Sequence, residues 1–595
     1  MRPPICAAIV SLALGCLPFA DRDAASAEWF VAPGGNDANP GTREAPLATL
    51  AGAQQAVRKE IAAGLKAPLK VTLRGGTYTL GEPLAFGRED SGTPEFAVVW
   101  AAAPGENVIV SGGRKIAPWK PGQGGVWTAE LPEAKQGKWS FRNLWVNGRR
   151  AVRARTPNRD HAEPHWQLAG ASLSKDLKTY TLALRPGLAA DWTNVADVEV
   201  MVAGNWEINR KRLASVDAPS GLVVLAPPHA QGHEAIRPGP GRWCYFENAP
   251  EMLDEAGEWY LDRASGVLRY LPLPGEDMRR AEVVAPRVSC LIDVRGTAER
   301  PVRNLHFRGI SFQHTDWQLP EIGYFGIQAN HHVQGERWIR PWAVIPGAIR
   351  FHDVEGSSIE DGAVCRLSTC GIQLGPRCRA NLIQGVDLFD ISGNGVMIGG
   401  PNDEAHVPAD NRVSNNHVHD CGVEYYGAVG IWVGFARATD VSHNLVHGLP
   451  YTGISVGWQW NPQPTACKEN RVEANHIFDV MNRLCDGGGI YTLGFQPGTV
   501  IRGNHIHDVH RSRYAQGAPN NGMFIDQGSK GYRFEQNVIY STAAEHVRFN
   551  QCQRDWHTWR DNHFGEPEAV KQSGRQIIAR AGPEPPFARR WESRD

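Results

Sequence analysis

A short repeat that begins near residue 345 restricts the fold more than any other feature of this sequence. Each repeat contains a glycine followed by alternating apolar residues, and successive glycines are 24, 35, 23, 36 and 33 residues apart. A coil of about two dozen residues, enlarged in places by about ten, is typical of a parallel β-helix. These glycines are Gly371, Gly395, Gly430, Gly453, Gly489 and Gly522.

A second pattern, Asn-x-apolar, recurs once in each repeat. Identical positions of a solenoid stack along its axis, so this pattern predicts a ladder of asparagine side chains at one turn. The predicted ladder contains Asn381, Asn416, Asn444, Asn475, Asn504, Asn537 and Asn562.

The repeat and the segments around it predict an all-β protein: a right-handed parallel β-helix solenoid with an inserted antiparallel β domain. Hairpin-like runs interrupt the pattern between residues 112 and 285, which indicates the insertion. We expect a signal peptide (1–27), an N-terminal cap with the first coils (28–111), the inserted domain (112–285), the parallel β-helix catalytic domain (286–566) and a C-terminal tail (567–595).

The first residues resemble an export signal. Arg2 precedes an apolar run from Ile5 to Phe19, and Ala25-Ser26-Ala27 fits a cleavage site, so we predict a secreted or periplasmic protein cut after Ala27. A lipoprotein signal ending at Cys16 is the alternative. Later segments lack an apolar run long enough to span a membrane.

Charge and cysteine content exclude several classes of partner and site. The net charge of -1 argues against nucleic acid or an anionic membrane as the partner. Nine of the 11 cysteines follow residue 27, and they lack CxxC pairs, so we expect buried thiols and neither a zinc knuckle nor a disulfide framework. The sequence leaves the oligomeric state open.

Strand periodicity predicts an outward-facing row of aromatic side chains on successive coils. Ile431 and Val433 share the parity that must face the core, which places Trp432, Tyr491 and Phe524 on the outer face, followed by Arg548. Exposed aromatic rings are costly in water unless a ligand covers them, and sugar rings stack on such faces. The row therefore predicts a polysaccharide or oligosaccharide substrate.

Two carboxylates accompany this row. Asp526 ends the strand that contains Phe524, and Asp486 precedes three glycines on the preceding coil. Glycoside hydrolysis needs such a pair, one ionised and one protonated. A structural turn is the alternative role for each of them.

Loops that enlarge some coils provide further candidates for substrate binding. Glu424 lies in one of them, as a third acid/base candidate, and Trp458 and Trp460 could form a sugar platform or pack beneath their loop. His546 lies on the far side of the face. Binding residues commonly gather on loops of this kind.

Stacked histidines follow the recurring asparagines on another strand. We expect a solvated or hydrogen-bonded ladder and neither a metal site nor a cofactor, although stacked imidazoles are able to bind metals. These residues are His417, His419, His447, His476, His505 and His507.

Several motifs resemble glycoside hydrolase family 141. They are the segments from Gly453 to Trp460, from Asn475 to Gly498 and from Phe524 to Ser529, together with the opening Phe30 to Asp37. The resemblance implies a β-helix enzyme with activity on α-L-fucosides or xylan, related to the β-helix β-xylosidases. It implies that Asp486 and Asp526 are catalytic. Gln527 departs from many relatives, which have a second acid there.

Two other functions compete with hydrolysis at this point. A polysaccharide lyase or uronate epimerase would use Arg548 as the base together with Ca²⁺, although no dense acidic cluster accompanies that residue. A non-catalytic carbohydrate-binding β-helix would not need Asp486 or Asp526.

Overall fold

The computed structural model describes residues 27–176, 178–230, 240–335 and 339–591. Three parallel sheets of 12, 11 and 10 strands run along the molecule and form the predicted β-helix. The first sheet contains, in spatial order, Ala27–Val31, Leu69–Leu73, Val98–Ala102, Leu305–Arg308, Ser358–Glu360, Leu382–Gln384, Arg412–Ser414, Asp440–Ser442, Arg471–Glu473, Val500–Arg502, Arg533–Glu535 and Thr558–Arg560.

The other two sheets complete each coil. The second sheet contains Gly76–Thr79, Val108–Ser111, Ile310–Thr315, Ala363–Leu367, Asp387–Ile391, His417–His419, Leu445–His447, His476–Ile477, His505–Ile506, Val538–Ile539 and His563–Phe564. The third sheet contains Leu84–Phe86, Ile292–Arg295, Gly347–His352, Cys370–Leu374, Val396–Ile398, Ile431–Val433, Ile454–Val456, Gly488–Thr492, Asn521–Ile525 and Val547–Phe549.

Strand alternation places the apolar residues of each coil inside, as the periodicity predicts. Ile431, Ile454 and Ile490 are fully buried and stack in register on successive coils of the third sheet. Stacked apolar side chains of this kind fill the interior and supply most of the driving force for folding.

The asparagine ladder is present for six of the seven predicted residues. From Asn416 to Asn562, each side-chain amide donates to the side-chain oxygen of the next asparagine at 2.8–3.0 Å. Asn381 is the exception, because it pairs with Asn411 at 3.0 Å on another turn. The prediction was wrong for Asn381, since a sequence pattern alone does not distinguish two turns of the same coil.

The insertion interrupts the solenoid without breaking its register. Val98, which precedes the insertion, pairs in parallel with Leu305, which follows it. Three mainly antiparallel sheets lie between these strands. Their strands are Gly113–Lys115, Lys120–Pro121, Trp127–Glu130, Trp145–Val146, Arg149–Arg150, Val152–Arg153, Arg155–Thr156, Trp166–Gln167, Gly170–Leu173, Tyr180–Ala183, Glu199–Ala203, Ile208–Asp217, Leu222–Leu225, Trp243–Glu247, Glu258–Asp262, Val267–Tyr270 and Val283–Pro286.

A meander extends one inserted sheet over the outer face of the third sheet of the β-helix. Tyr324–Gln328 pairs with the inserted strand Ile208–Asp217, and it continues through His331–His332 to Ala343–Val344. We call residues 324–335 and 339–344 the covering meander. It lies over the face where the sequence predicts a sugar-binding row, and it packs on aromatic rings of that face.

Helices are short and lie at the two ends of the chain or in connections. Thr49 caps the helix Leu50–Ala62, and its hydroxyl accepts from the Gly52 amide at 2.9 Å. The others are Pro132–Lys135, Pro567–Ser573, Arg575–Ile578 and Ala588–Trp591, with 3₁₀ turns at Arg88–Asp90, Gln123–Gly125, Val195–Asp197, Pro250–Met252 and Arg554–Trp556. None of the helices in the described ranges is long and apolar enough to cross a bilayer.

The structure bears on the predicted signal peptide and on the predicted buried cysteines. The predicted signal peptide lies outside the described residues, except Ala27, which begins the first strand. Eight of the nine described cysteines are buried free thiols, and Cys552 is half-buried. Burial raises the pKa of Cys370 to about 12, so this thiol is an apolar packing group.

Candidate functional site

Asp526 lies in a buried, hydrogen-bonded position at the end of strand Asn521–Ile525. Only 7% of the residue is exposed. Its carboxylate accepts from the Tyr491 hydroxyl and from the Asn550 amide, the latter at 2.6 Å. Burial raises the pKa of Asp526 above its usual value, although both hydrogen bonds oppose this effect. A carboxyl group in such a place is able to keep a proton that an exposed aspartate would lose.

Asp486 lies on the preceding coil, at a turn that leads into strand Gly488–Thr492. Its backbone has a φ of 66°, a left-handed conformation that aspartate tolerates better than most residues. Its amide donates to the Ala518 carbonyl at 3.1 Å, and its own carbonyl accepts from the Tyr451 hydroxyl at 2.9 Å. Asp486 is half-buried, so it is more exposed than Asp526.

The two acids occupy opposite ends of neighbouring strands. Gly488 pairs with Asn521 and Thr492 pairs with Ile525, so Asp486 precedes one strand and Asp526 follows the other. A five-residue strand rises about 13 Å between its ends. The sequence correctly places both acids on neighbouring coils, but it does not show that a strand length separates their backbones.

Tyr451 connects the two acids electrostatically. Burial raises the pKa of this tyrosine well above its usual value, and the charges of Asp486, Asp526 and Glu207 raise it further. The charges of three carboxylates therefore act on one buried phenol. Tyr491, whose pKa burial and the Asp526 charge also raise, lies close enough for Tyr451 to affect it.

Glu207 belongs to the inserted domain, at the tip of the hairpin between Glu199–Ala203 and Ile208–Asp217. It is 2% exposed. It accepts from the Tyr324 hydroxyl and the Asn330 amide, both at 2.9 Å. Gly427 lacks the side chain that would collide with its carboxylate, since a Cβ there would lie 2.2 Å from Glu207 Cδ. The insertion thus delivers a third carboxylate to the β-helix face.

The same hairpin tip holds the loop that contains Asp486. The Cys485 amide donates to the Asn205 carbonyl at 2.8 Å, one residue before Asp486. Arg242 in turn holds Asn205, with 2.7 Å between the Arg242 guanidinium and the Asn205 side-chain oxygen. The position of Asp486 therefore depends on contacts with the inserted domain.

Trp432 is fully buried, so the prediction that it belongs to an exposed sugar-stacking row is wrong. Trp458 is fully buried as well, which agrees with the alternative that it packs beneath its loop. His331 of the covering meander packs on both rings, with centroids 4.3 and 5.6 Å away. The Trp432 ring fills the space beside Gly434, since a Cβ on that glycine would lie 2.2 Å from the ring. The protein itself supplies the apolar cover that a sugar was expected to supply.

Phe524 and Tyr491 are buried as well, at 0% and 3% exposure. Their rings stack 5.6 Å apart, and the Arg548 guanidinium lies 5.8 Å from the Phe524 centroid. The prediction that Phe524 stacks on sugar is therefore wrong, because Arg548 and Tyr491 cover its ring. Tyr491 remains in the site through its hydrogen bond to Asp526.

Glu424 is not at the site, and its assignment as an acid/base or substrate-binding residue is wrong. Arg142, Asn143 and Ser392 donate to its carboxylate at 3.3, 3.0 and 2.9 Å. Burial acts to raise the pKa of Glu424, but the nearby arginine charges lower it overall. Glu424 is a half-buried, ionised group that joins the β-helix to the inserted domain.

The remaining predicted residues are Arg548, His546 and Trp460, and only Arg548 has a described effect on one of the two acids. Arg548 is close enough for its charge to lower the pKa of Asp526, and it forms a 3.3 Å ion pair with Glu545. The His546 ring instead stacks with Phe564 of the last coil at 6.3 Å. Trp460 is half-buried and packs on Trp458, with centroids 4.5 Å apart.

A cavity of about 260 Å³ lies between the inserted domain and the β-helix, beside the loop that leads to Asp486. Arg155, Arg483, His165 and Tyr426 line it. Burial lowers the pKa of His165 to about 3, and nearby arginine charges contribute. The walls are thus basic and partly aromatic, and the ring of His165 is neutral.

The sequence shows no sign of Glu207, because its part in the site depends on the docking of the inserted domain. Tyr451 does leave a signal, since it lies two residues before the repeat glycine Gly453, at the turn below Asp486. Asn550 follows strand Val547–Phe549, at the position on the next coil that matches Asp526.

Two models of known protein families match parts of the chain. A model of the GH141 insertion domain matches residues 124–273, and a model of the right-handed β-helix region matches residues 347–539. No curated protein matches the chain.

Two solved structures resemble the whole chain to different degrees. A structure described as a glycoside hydrolase is 27% identical, with a TM-score of 0.83, and the match covers 94% of this chain and 100% of that one. A structure of XylC with xylose is 15% identical, with a TM-score of 0.48, and the match covers 88% of this chain and 70% of that one. The first match and the two family models confirm the predicted β-helix with its insertion.

Proposed function

Because the chain is a right-handed β-helix glycoside hydrolase with a GH141 insertion domain, we propose that Asp486 and Asp526 are its catalytic pair. The substrate class we propose is a plant or algal polysaccharide or its oligosaccharides, with an α-L-fucoside or a xylan-type linkage as the bond broken. The signal-like first residues support action outside the cytoplasm.

The observation that supports this pair best is their common neighbour, Tyr451. Both charges act on its hydroxyl, although the two acids come from different coils and from opposite strand ends. Acids that share a buried neighbour and differ in burial suit the division of labour that glycosidases use.

We assign the proton donor to Asp526. It is the more buried acid, and burial raises its pKa. In this scheme Asp526 gives its proton to the glycosidic oxygen while the bond from that oxygen to the anomeric carbon breaks. Asp486 accepts a proton from the water that attacks the anomeric carbon.

We propose an inverting reaction, in which the two side chains extend toward each other across the roughly 13 Å that separates the strand ends. Inverting enzymes place their carboxyl groups about 6.5–9.5 Å apart to leave room for water, whereas retaining enzymes need about 5–5.5 Å. The acids here lie at opposite ends of five-residue strands. Proton NMR of the first product formed tests this assignment, because inversion gives the opposite anomer to that of the substrate.

The basic cavity beside the Asp486 loop supports binding of a sugar next to the bond that is cleaved. Arg483 lies in its wall and is exposed, so it is available to donate to hydroxyl or carboxylate oxygens. We expect Arg483→Ala to raise KM more than it lowers kcat.

The decisive experiment is a screen of aryl fucosides, xylosides, galactosides and arabinosides and of plant and algal polysaccharides. Wild type should release reducing ends without ultraviolet-absorbing unsaturated products, and Asp486→Asn and Asp526→Asn should each lower the rate by about 10²–10⁴-fold. Asp410→Asn is the matched control, because Asp410 lies in a surface ion pair with Arg379 at 3.0 Å. Full activity of either test variant would refute the pair.

A further inference from the structure

Six histidines on the second sheet form two groups of three. The first group is His417, His419 and His447, and the second is His476, His505 and His507. In each group, one nitrogen from every ring lies within 4.8 Å of the other two. The sequence favours a hydrogen-bonded ladder for all six, but the structure separates the two groups by their partners.

In the first group, carboxylates occupy the nitrogens of His419. Its Nδ1 lies 2.8 Å from Asp420, and its Nε2 lies 3.3 Å from Asp387. A ring whose two nitrogens both face carboxylates donates two protons and has no lone pair left for a metal. Asp387 also lies 3.2 Å from His417 Nδ1. We therefore regard the first group as an ion-paired ladder.

The second group has a similar carboxylate contact on one ring and a similar contact between two Nε2 atoms, but Leu445 pairs with His476 where Asp387 pairs with His417. His507 Nδ1 lies 2.8 Å from the Asp508 carboxylate, which fixes the proton on that nitrogen and leaves a lone pair on Nε2. His507 Nε2 lies 2.8 Å from His476 Nε2, and His505 Nε2 lies 2.9 Å from the Tyr540 hydroxyl. A carboxylate behind the ring is the arrangement that commonly orients a metal-binding imidazole.

The ring positions also suit a shared ion. His476 and His505 pair in register on neighbouring coils and stack with centroids 4.5 Å apart, while the His507 ring lies 5.1 Å from that of His476. Three imidazoles with a fourth position for water form a common zinc site, with Zn–N distances of about 2.0–2.1 Å. His476 and His505 are stacked nearly parallel, so these rings must tilt on binding for their nitrogens to point at one ion.

We propose that His476, His505 and His507 bind one divalent transition-metal ion of the zinc class, which ties two consecutive coils together. On binding, the proton that His476 Nε2 shares with His507 moves to His476 Nδ1, so each ring remains neutral and offers one lone pair. An ion that binds only the folded chain stabilises it. Its site lies on the second sheet, whereas Asp486 and Asp526 flank strands of the third sheet.

The test uses the full chain without a histidine tag, freed of metal with a chelator and then titrated with ZnCl₂ by calorimetry. Co²⁺ absorption gives a second readout, because tetrahedral nitrogen ligands produce visible bands. We expect one equivalent to bind and to raise the unfolding temperature. We expect His476→Ala and His507→Ala to lower the affinity at least about 100-fold, and Asp508→Asn to lower it about 10–100-fold.

The matched control is His447→Ala, which removes a ring from the first group on the same sheet. It should leave both the affinity and the Co²⁺ spectrum unchanged. His507→Gln keeps a polar side chain at the site and replaces His507→Ala if the latter fails to fold. Absence of binding in wild type, or loss of binding in His447→Ala alone, would overturn the proposal.

Discussion

Two buried clusters of carboxylates lie where the inserted domain meets the β-helix, and they differ in their partners. Around Tyr451, the acids Asp526 and Glu207 are held by hydroxyl and amide groups. In the other cluster, Glu199, Glu247 and Glu424 face Arg142, Arg153 and Arg210. We call these the tyrosine cluster and the arginine cluster.

Burial alone does not make a catalytic acid. Burial raises the pKa of Asp526 and acts on Glu199 in the same direction, but the arginine charges lower the pKa of Glu199 strongly overall. An acid with an arginine partner stays ionised and holds two domains together. An acid with only hydroxyl and amide partners is able to exchange a proton.

The strongest test of this distinction compares one variant from each cluster, by its activity and by its stability. We expect Asp526→Asn to lower kcat/KM by about 10²–10⁴-fold, because it removes the proton donor, while the unfolding temperature stays unchanged or rises. We expect Glu424→Gln to retain kcat in the folded protein and to lower stability. Kinetics and thermal unfolding of both variants check this. A loss of kcat in Glu424→Gln alone would reverse the assignment.

The arginine cluster should respond to loss of a single charge with a large decrease in stability. We expect Glu199→Gln to lower the free energy of unfolding by about 3–5 kcal/mol, since it leaves buried guanidinium groups without their counter-charge. Denaturant titration measures the change. Glu469→Gln is the surface control, because Glu469 and Lys468 are both exposed and 4.0 Å apart. An equal effect in both variants would contradict the special role of the cluster.

A smaller effect is expected from the hydroxyl that holds Asp526. Tyr491→Phe removes one donor to the carboxylate, so the ionised form loses stabilisation and the pKa of Asp526 rises further. We expect the basic limb of the kcat/KM profile to move up by about one pH unit, near 1.4 kcal/mol. Tyr532→Phe is the control, because its hydroxyl donates to the Leu493 carbonyl at 2.7 Å and touches neither acid. A shift in the other direction would contradict the assignment of Asp526 as the donor.

Only the repeating part of the site can be predicted from the sequence. The β-helix and the positions of Asp486 and Asp526 follow from stacking of repeats, which is a local rule. The burial of Trp432 depends on the covering meander, which is not part of any repeat. The ion pair of Glu424 depends on Arg142, which lies 282 residues earlier. Contacts between a repeat and an insertion carry no periodic signal, so the sequence does not reveal them.

Asp316 provides the weakest and most specific test, because it lies beside the arginine cluster without an ion pair among the described residues. Burial raises its pKa to about 7, and the Gln318 amide donates to it at 2.5 Å. A raised pKa in the folded state means that its contribution to stability is full below pH 3.8 and is lost as the pH rises through about 7.

Replacing Asp316 should therefore change the free energy of unfolding at high pH more than at low pH. We expect Asp316→Asn to stabilise the protein by about 1 kcal/mol at pH 8 and to have little effect at pH 4. Urea titrations at both pH values, with Asp410→Asn as the exposed control, measure the difference. Destabilisation at pH 8 would show that the arginine charges stabilise an ionised Asp316, as they do Glu424. Asp316 would then belong to the arginine cluster.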